Sequence, residues 1–225
     1  MRKIELSVEI HAPLEVVWRA LSTPEEISRW FAPIVTGGTA VGDKLTVRWY
    51  EGGEYTNTVS ARDEGRHIQL KGALVSDWFI EAKDGGVVVV RLVSSGWDEG
   101  ADWDDYYDST AGGYRYFLFN LRDYVEHHAG QPRTALIDRR PTDRPRAEVL
   151  DQARAKAPEG FRVVTSEAPD RLWGTLPAYG DALVLIENEP GREKYHCGVY
   201  ISLYGDAVKH RPALEPYLKR MLDGI

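Results

Sequence analysis

Residues 8–31, VEIHAPLEVVWRALSTPEEISRWF, join the end of an apolar strand to a proline and two short amphipathic pieces that close on Trp30 and Phe31. Just upstream, KIELSVEI (3–10) alternates Ile4, Leu6, Val8 and Ile10 with polar residues, the period of a half-buried strand. Pro13 then sits where a first helical turn tolerates it, and Val16, Val17, Ala20 and Leu21 recur at helical spacing. STPEE restarts the chain with a helix N-terminus: Ser22 or Thr23 as cap, Pro24 in the first turn, and Glu25 and Glu26 complementing the positive end of the helix dipole. The order read from this stretch is strand, helix, helix, with two large aromatic side chains at its exit.

Beyond it, TGGTAVGDK is glycine-rich but lacks the Gly-Lys-Ser/Thr ending of a phosphate loop and precedes a strand, so it reads as a connector. KLTVRWY, EYTNTVSAR, HIQLKG, LVSDWFIEA and GVVVVRLVSS follow, separated by EGGE, DEGR and KDGG, whose Gly and Asp suit hairpin turns. The pattern predicts an antiparallel meander. ADWDDYYDSTAGGYRYFLFNLRDYVEHH then opens on Asp102, Asp104 and Asp105 and places Tyr114, Phe117, Leu118, Leu121, Tyr124 and Val125 on one helical face. Gly112 and Gly113 lower helix stability there and suggest a bend or a true start near residue 111.

The 225 residues, 43% hydrophobic and 28% charged, suffice for a sizeable core. No apolar run approaches the roughly 18 residues of a membrane span, and no signal peptide follows Met1, so a cytoplasmic location is expected. Cys197 is the single cysteine and reads as a small buried hydrophobe. Net charge is −8 over residues 1–130 and +1 over 131–225. An acidic chain without a basic stripe is a poor partner for nucleic acid. RTALIDRRPTDRPRAEVLDQARAK gathers Arg139, Arg140, Arg144 and Arg146, but interleaves them with acids and prolines, and reads as a solvated connection that leads into a helix at PRAEVLDQARAKA.

Catalytic motifs are missing: there is no G-x-S-x-G, no H-E-x-x-H and no G-x-G-x-x-G after a strand. His196 and Cys197 point to opposite faces of a strand and form no dyad. His127 and His128 suit a helix C-terminus, and the acidic run DEGADWDDYYD suits a helix start; neither is read as a metal site. No catalytic residue, metal ligand or cofactor is assigned. Arg91, Arg48 and Asp77 interrupt apolar strands, and each either anchors the polar end of a ligand or faces water on the far side of the sheet; His67 shares the ambiguity.

The Pro13-x-x-x-Val17-Trp18 pattern, Trp30-Phe31, Gly96-Trp97 and the helical segment Tyr114 to Tyr124, in this order, resemble the SRPBCC or START-like helix-grip superfamily, within it the group similar to the activator of the heat-shock chaperone ATPase. The resemblance covers about residues 3–128. It implies an α+β fold in which an antiparallel sheet wraps around a long C-terminal helix and leaves an apolar cavity between them. The cavity would be lined by Trp30, Phe31, Trp49, Tyr55, Trp78, Arg91, Trp97, Tyr114, Phe117, Leu118 and Leu121. Residues 1–130 are thus expected to form one domain. Residues 131–225 go beyond the resemblance: GFRVVTSE, DRLWGTL, ALVLIENE and KYHCGVYISLYG read as strands and PALEPYLKRMLDGI as a closing helix. They predict an α+β extension, an incomplete second helix-grip unit being one form of it. Three functions follow as expectations. The first is binding of a small hydrophobic or amphipathic molecule. The second is a chaperone-associated or other protein-interaction role, with a protein partner or a homodimer formed through the extension. The third is a cyclase- or aromatase-like enzyme that shapes an apolar substrate.

Overall fold

The computed structural model describes residues 2–50, 53–97, 101–165, 170–190 and 194–225, with backbone alone at 101–103, 105 and 165. Parts of EGGE, of DEGADWDDYYD and of the strand tail at 166–167 lie outside the described residues or side chains. The chain divides into two compact units, Met1–Tyr107 with Gly113–Gln131, and Asp108–Gly112 with Pro132–Ile225.

The first unit is a seven-stranded antiparallel sheet in the order β1-β7-β6-β5-β4-β3-β2. Its strands are β1 (Arg2–His11), β2 (Ile34–Gly37), β3 (Lys44–Arg48), β4 (Glu54–Asp63), β5 (His67–Lys71), β6 (Val75–Lys83) and β7 (Val87–Trp97). Alternation does what the sequence demands: Leu6, Val8 and Ile10 pair with Leu92, Val90 and Val88, so one face of the β1/β7 ladder is aliphatic. The connector at TGGTAVGDK begins inside β2, a short edge strand whose Val35 and Thr36 pair with Val47 and Thr46. Helix α1 (Leu14–Ser22) starts directly after Pro13, whose carbonyl accepts from Val16 and Val17. In α2 (Pro24–Trp30) Thr23 holds the cap position without a side-chain cap bond, and Arg29 pairs with Glu25 at 2.6 Å and Glu26 at 2.8 Å.

Helix α3 (Ala101–Asp123) runs through Gly112 and Gly113, so it does not start near residue 111 as the glycines allowed; both glycines are buried. Packing offsets the intrinsic cost of two helical glycines, about 1 kcal/mol each. The helix ends in a π-turn, Tyr124–His128, locked to α2: the Tyr124 hydroxyl donates to Glu26 and accepts from the Gly130 amide at 2.9 Å. Burial and the bond to Glu26 hold this phenol above its usual range.

The second unit is a five-stranded antiparallel sheet in the order β8-β12-β11-β10-β9, formed by β8 (Arg133–Thr142), β9 (Arg162–Thr165), β10 (Arg171–Leu176), β11 (Ala182–Pro190) and β12 (Tyr195–Tyr204). β8 corrects the solvated connection expected over RTALIDRRPT: it pairs with β12 along its whole length. Its arginines hid it from hydrophobic periodicity because they are paired. Arg139 binds Glu189, and Arg140 donates to the Leu222 carbonyl at 3.3 Å, past the end of the last helix, where a cation suits the dipole. Helices α4 (Arg146–Ala155) and α5 (Arg211–Met221) share one core with the sheet face that carries Leu136, Val184, Ile186, Val199, Ile201 and Leu203. Cys197 belongs to this core with no exposed surface, and desolvation, followed by Glu187, pushes its thiol up to about 12.

The opposite face of β10, β11 and β12 carries charge. Arg171, 3% exposed, binds Asp170 at 2.7 Å and Glu187 at 3.2 Å, and donates to the Ser109 carbonyl at 2.8 Å and hydroxyl at 2.9 Å. Desolvation opposes its charge, but Glu187 and Asp170 outweigh it and raise its pKa. Around Glu187 and Glu189 stand two guanidinium groups, Arg139 and Arg171, against three carboxylates, so the cluster is one negative charge in excess. Glu189 absorbs the imbalance: desolvation first, then Glu187, raise its pKa to about 7 against the pull of Arg139 and Arg171. The folded state therefore holds a proton that the unfolded chain releases above its ordinary pKa of 4.5, and stability falls as pH rises from there to about 7. Glu189→Gln should remove this fall. We expect it to raise the unfolding free energy at pH 8 by about 1–3 kcal/mol, with the difference closing toward pH 4.5, in denaturant titrations at the two pH values. An equal effect at both would mean that Glu189 is not the titrating group.

Candidate functional site in the first unit

Strand register decides which side chains meet α3. Val47 pairs with Tyr55 and Leu45 with Asn57 across β3 and β4, Val59 pairs with Leu70, Leu70 with Ser76, and Ser76 with Ser94. Paired residues share a face. Tyr114 of α3 reaches this inner face and bonds the Ser76 hydroxyl at 3.3 Å.

Trp30 and Phe31 meet the same surface. The Trp30 ring lies edge-on to Trp78 with centroids 5.9 Å apart, and its indole N–H donates to the Ala20 carbonyl at 2.8 Å. Asn120 of α3 donates to the Trp30 carbonyl. Phe31, Trp49 and Phe117 form a triangle of rings with centroids 4.5–5.0 Å apart. Trp30 and Trp78 are closed off behind this triangle, whereas Phe31, Trp49, Phe117 and Tyr114 are half-buried.

Tyr55 marks the open side. It keeps 46% of its surface accessible, while desolvation first and then the nearby Tyr114 hold its phenol far above the usual range although Trp49 donates to it. Tyr55, Trp49, Phe31, Phe117 and Tyr114 thus gather on the inner face as partly exposed rings.

The remaining expected site residues lie elsewhere. Leu118 is buried and Leu121 has no exposed surface, so neither is among the partly exposed side chains of this face. Trp97 is buried at another part of α3, against Tyr107 at 5.2 Å and Tyr106 at 6.1 Å. Arg91 corrects its expected place. It pairs with Ser7 and Phe79 on the outer face, bonds Glu5 at 3.1 Å and covers the Phe79 ring. The alternation of β7 forces this: Val90 and Leu92 take the inner face, and the residue between them cannot. Asp77 is also outside, bonded to His67 and Gln69 at 2.8 Å each. Ser76 escaped the sequence reading, although its alternation with Trp78 and Ile80 puts it on the inner face. Among the described residues no group of three or more His, Cys, Asp or Glu is placed to hold a metal ion, and no helix is long and apolar enough to cross a membrane.

Solved structures share this architecture. The first unit resembles the Aha1 dimer from Colwellia psychrerythraea, at 22% identity and a TM-score of 0.51 over 58% of this chain and 100% of that one. The likeness of two others extends over nearly the whole chain. The di-domain ARO/CYC BexL from the BE-7585A biosynthetic pathway matches at 16% identity and a TM-score of 0.51, over 98% of this chain and 91% of that one. DynU16, from the dynemicin biosynthetic locus, matches at 13% identity and a TM-score of 0.50, over 97% and 96%. At these identities the likeness shows the fold alone, an α+β helix-grip fold. No curated protein sequence matches the chain. Residues 1–126 match the family described as polyketide cyclase/dehydrase and lipid transport, and the chain belongs to that family.

Proposed function

We propose that the first unit binds a small hydrophobic or amphipathic molecule in a hollow between the sheet and α3. The observation that carries this reading is the group of partly exposed aromatic rings on the inner face, Phe31, Trp49 and Phe117 in mutual contact at 4.5–5.0 Å beside the exposed Tyr55. Apolar walls with a few convergent polar atoms are the usual make-up of a small-molecule site. Membership of a family that includes lipid transport agrees with it. A cyclase-like activity is the second reading, favoured by the fold shared with BexL across both units. It would work by shaping a bound substrate, so it also requires the hollow.

The test uses N-phenyl-1-naphthylamine, a neutral fluorescent probe excited by energy transfer from tryptophan. It should bind saturably with micromolar affinity. Trp49→Ala and Phe117→Ala should each weaken binding about tenfold, in line with losing an apolar contact worth roughly 1–2 kcal/mol. Arg91→Ala, on the outer face, should leave it unchanged. Absence of saturable binding, or equal loss in the Arg91 variant, would sink the reading.

A further inference from the structure

The inner face of the first unit is short of charge, and this limits what the hollow accepts. By register, two charged strand residues lie on that face among the described residues, and both are engaged: Arg2, paired with Trp97, bonds Asp104 and covers the Tyr107 ring near the start of α3, while one guanidinium nitrogen of Arg62 bonds the Thr39 carbonyl and hydroxyl at 3.0 and 2.8 Å and the other two bond Glu64 at 3.0 and 3.2 Å. The cation next to α2, Arg29, is likewise held by Glu25 and Glu26. A carboxylate that enters beside Tyr55 and Phe117 gives up its water and meets no free cation, which is costly.

Neutral oxygen meets a different surface. Ser76 and Tyr114 present two hydroxyl groups 3.3 Å apart, both half-buried. Two hydroxyls hold two protons, and only one is used between them. The second is available to an acceptor on a ligand. Behind the pair, the Ser94 hydroxyl, cross-strand from Ser76, is fully buried and has no hydrogen-bond partner among the described residues. A buried donor without an acceptor carries a penalty of about 1–3 kcal/mol, which a hydroxyl chain continued by a ligand would relieve.

We propose that the Ser76–Tyr114 hydroxyl pair is the specificity determinant of the hollow, and that it selects neutral ligands carrying a hydroxyl or carbonyl oxygen over both their bare hydrocarbon and their carboxylate counterparts. The proposal rests on the ligand-binding reading and adds a polarity rule to it. Three probes of one ring size separate the two: naphthalene, 2-naphthol and 2-naphthoate, titrated at pH 7 by ligand-observed NMR. 2-Naphthol should bind about tenfold more tightly than naphthalene and at least tenfold more tightly than 2-naphthoate. Tyr114→Phe and Ser76→Ala should each bring 2-naphthol down to the level of naphthalene and leave naphthalene itself unchanged, a split that a merely structural role would not produce. If 2-naphthoate binds as well as 2-naphthol, or if both variants keep the preference, the polarity rule is wrong while the hollow stands. If none of the three binds, the rule falls together with the ligand-binding reading.

Discussion

Replacing Arg171 by leucine should cost the protein about 3–5 kcal/mol, because it removes the cation from a site where Asp170 and Glu187 are almost fully buried. The loss is not the worth of the ion pairs themselves. It is the penalty of leaving two carboxylates in a dry environment, together with the loss of the bonds Arg171 makes to Ser109. A calorimetric scan should show the affected transition lowered by roughly 10 °C. Neutralising the acids as well, with Asp170→Asn and Glu187→Gln added to Arg171→Leu, should recover at least half of the loss, since a neutral buried group needs no counter-ion. A single variant within 1 kcal/mol of the parent would mean that water reaches the cluster and that burial does not govern its charge.

Trp30→Ala should be comparably damaging, at about 3–5 kcal/mol, while Phe117→Ala should cost only about 1–2. The two rings belong to one aromatic chain but differ in what lies on their far side. Trp30 is 2% exposed, is packed on Trp78 and satisfies the Ala20 carbonyl, so its removal leaves a cavity and an orphaned acceptor. Phe117 is half-buried, so part of the space that truncation would create is already open. Denaturant unfolding of the two variants decides the matter: equal losses would mean that Phe117 is packed on both sides and that the proposed binding space is absent.

The comparison between these rings also shows where sequence reasoning worked. The α+β order of the first unit was legible because strand alternation from Ile4 to Ile10, the Pro24 helix start and the apolar face of α3 all agree with the tertiary structure. Face assignment was legible only in part. Trp78 and Arg91 both sit in apolar strands, and nothing local tells inner from outer until the register with β5 and β7 is known. Leu118 and Leu121 share the apolar face of α3 with Phe117, but periodicity cannot separate a side chain that is fully buried from one that keeps part of its surface exposed. β8 failed for another reason: Arg139 and Arg140 look solvated in isolation, and their partners Glu189 and the Leu222 carbonyl lie 50 and 82 positions away.

Cys197 gives the second unit a reporter of its own opening. It is the single thiol in the chain, it has no exposed surface, and its thiolate is suppressed until the core around it comes apart. Alkylation under native conditions therefore proceeds only through states in which α4 and α5 have left the sheet, and its rate measures how often they do so. The tryptophans at 18, 30, 49, 78 and 97 all lie in the first unit, so the fluorescence of their cluster follows that unit instead. Trp173 is buried in the second unit, so with Trp173→Phe in place one chain supplies two separate clocks, and whether they run together reveals if the two units melt as one cooperative body.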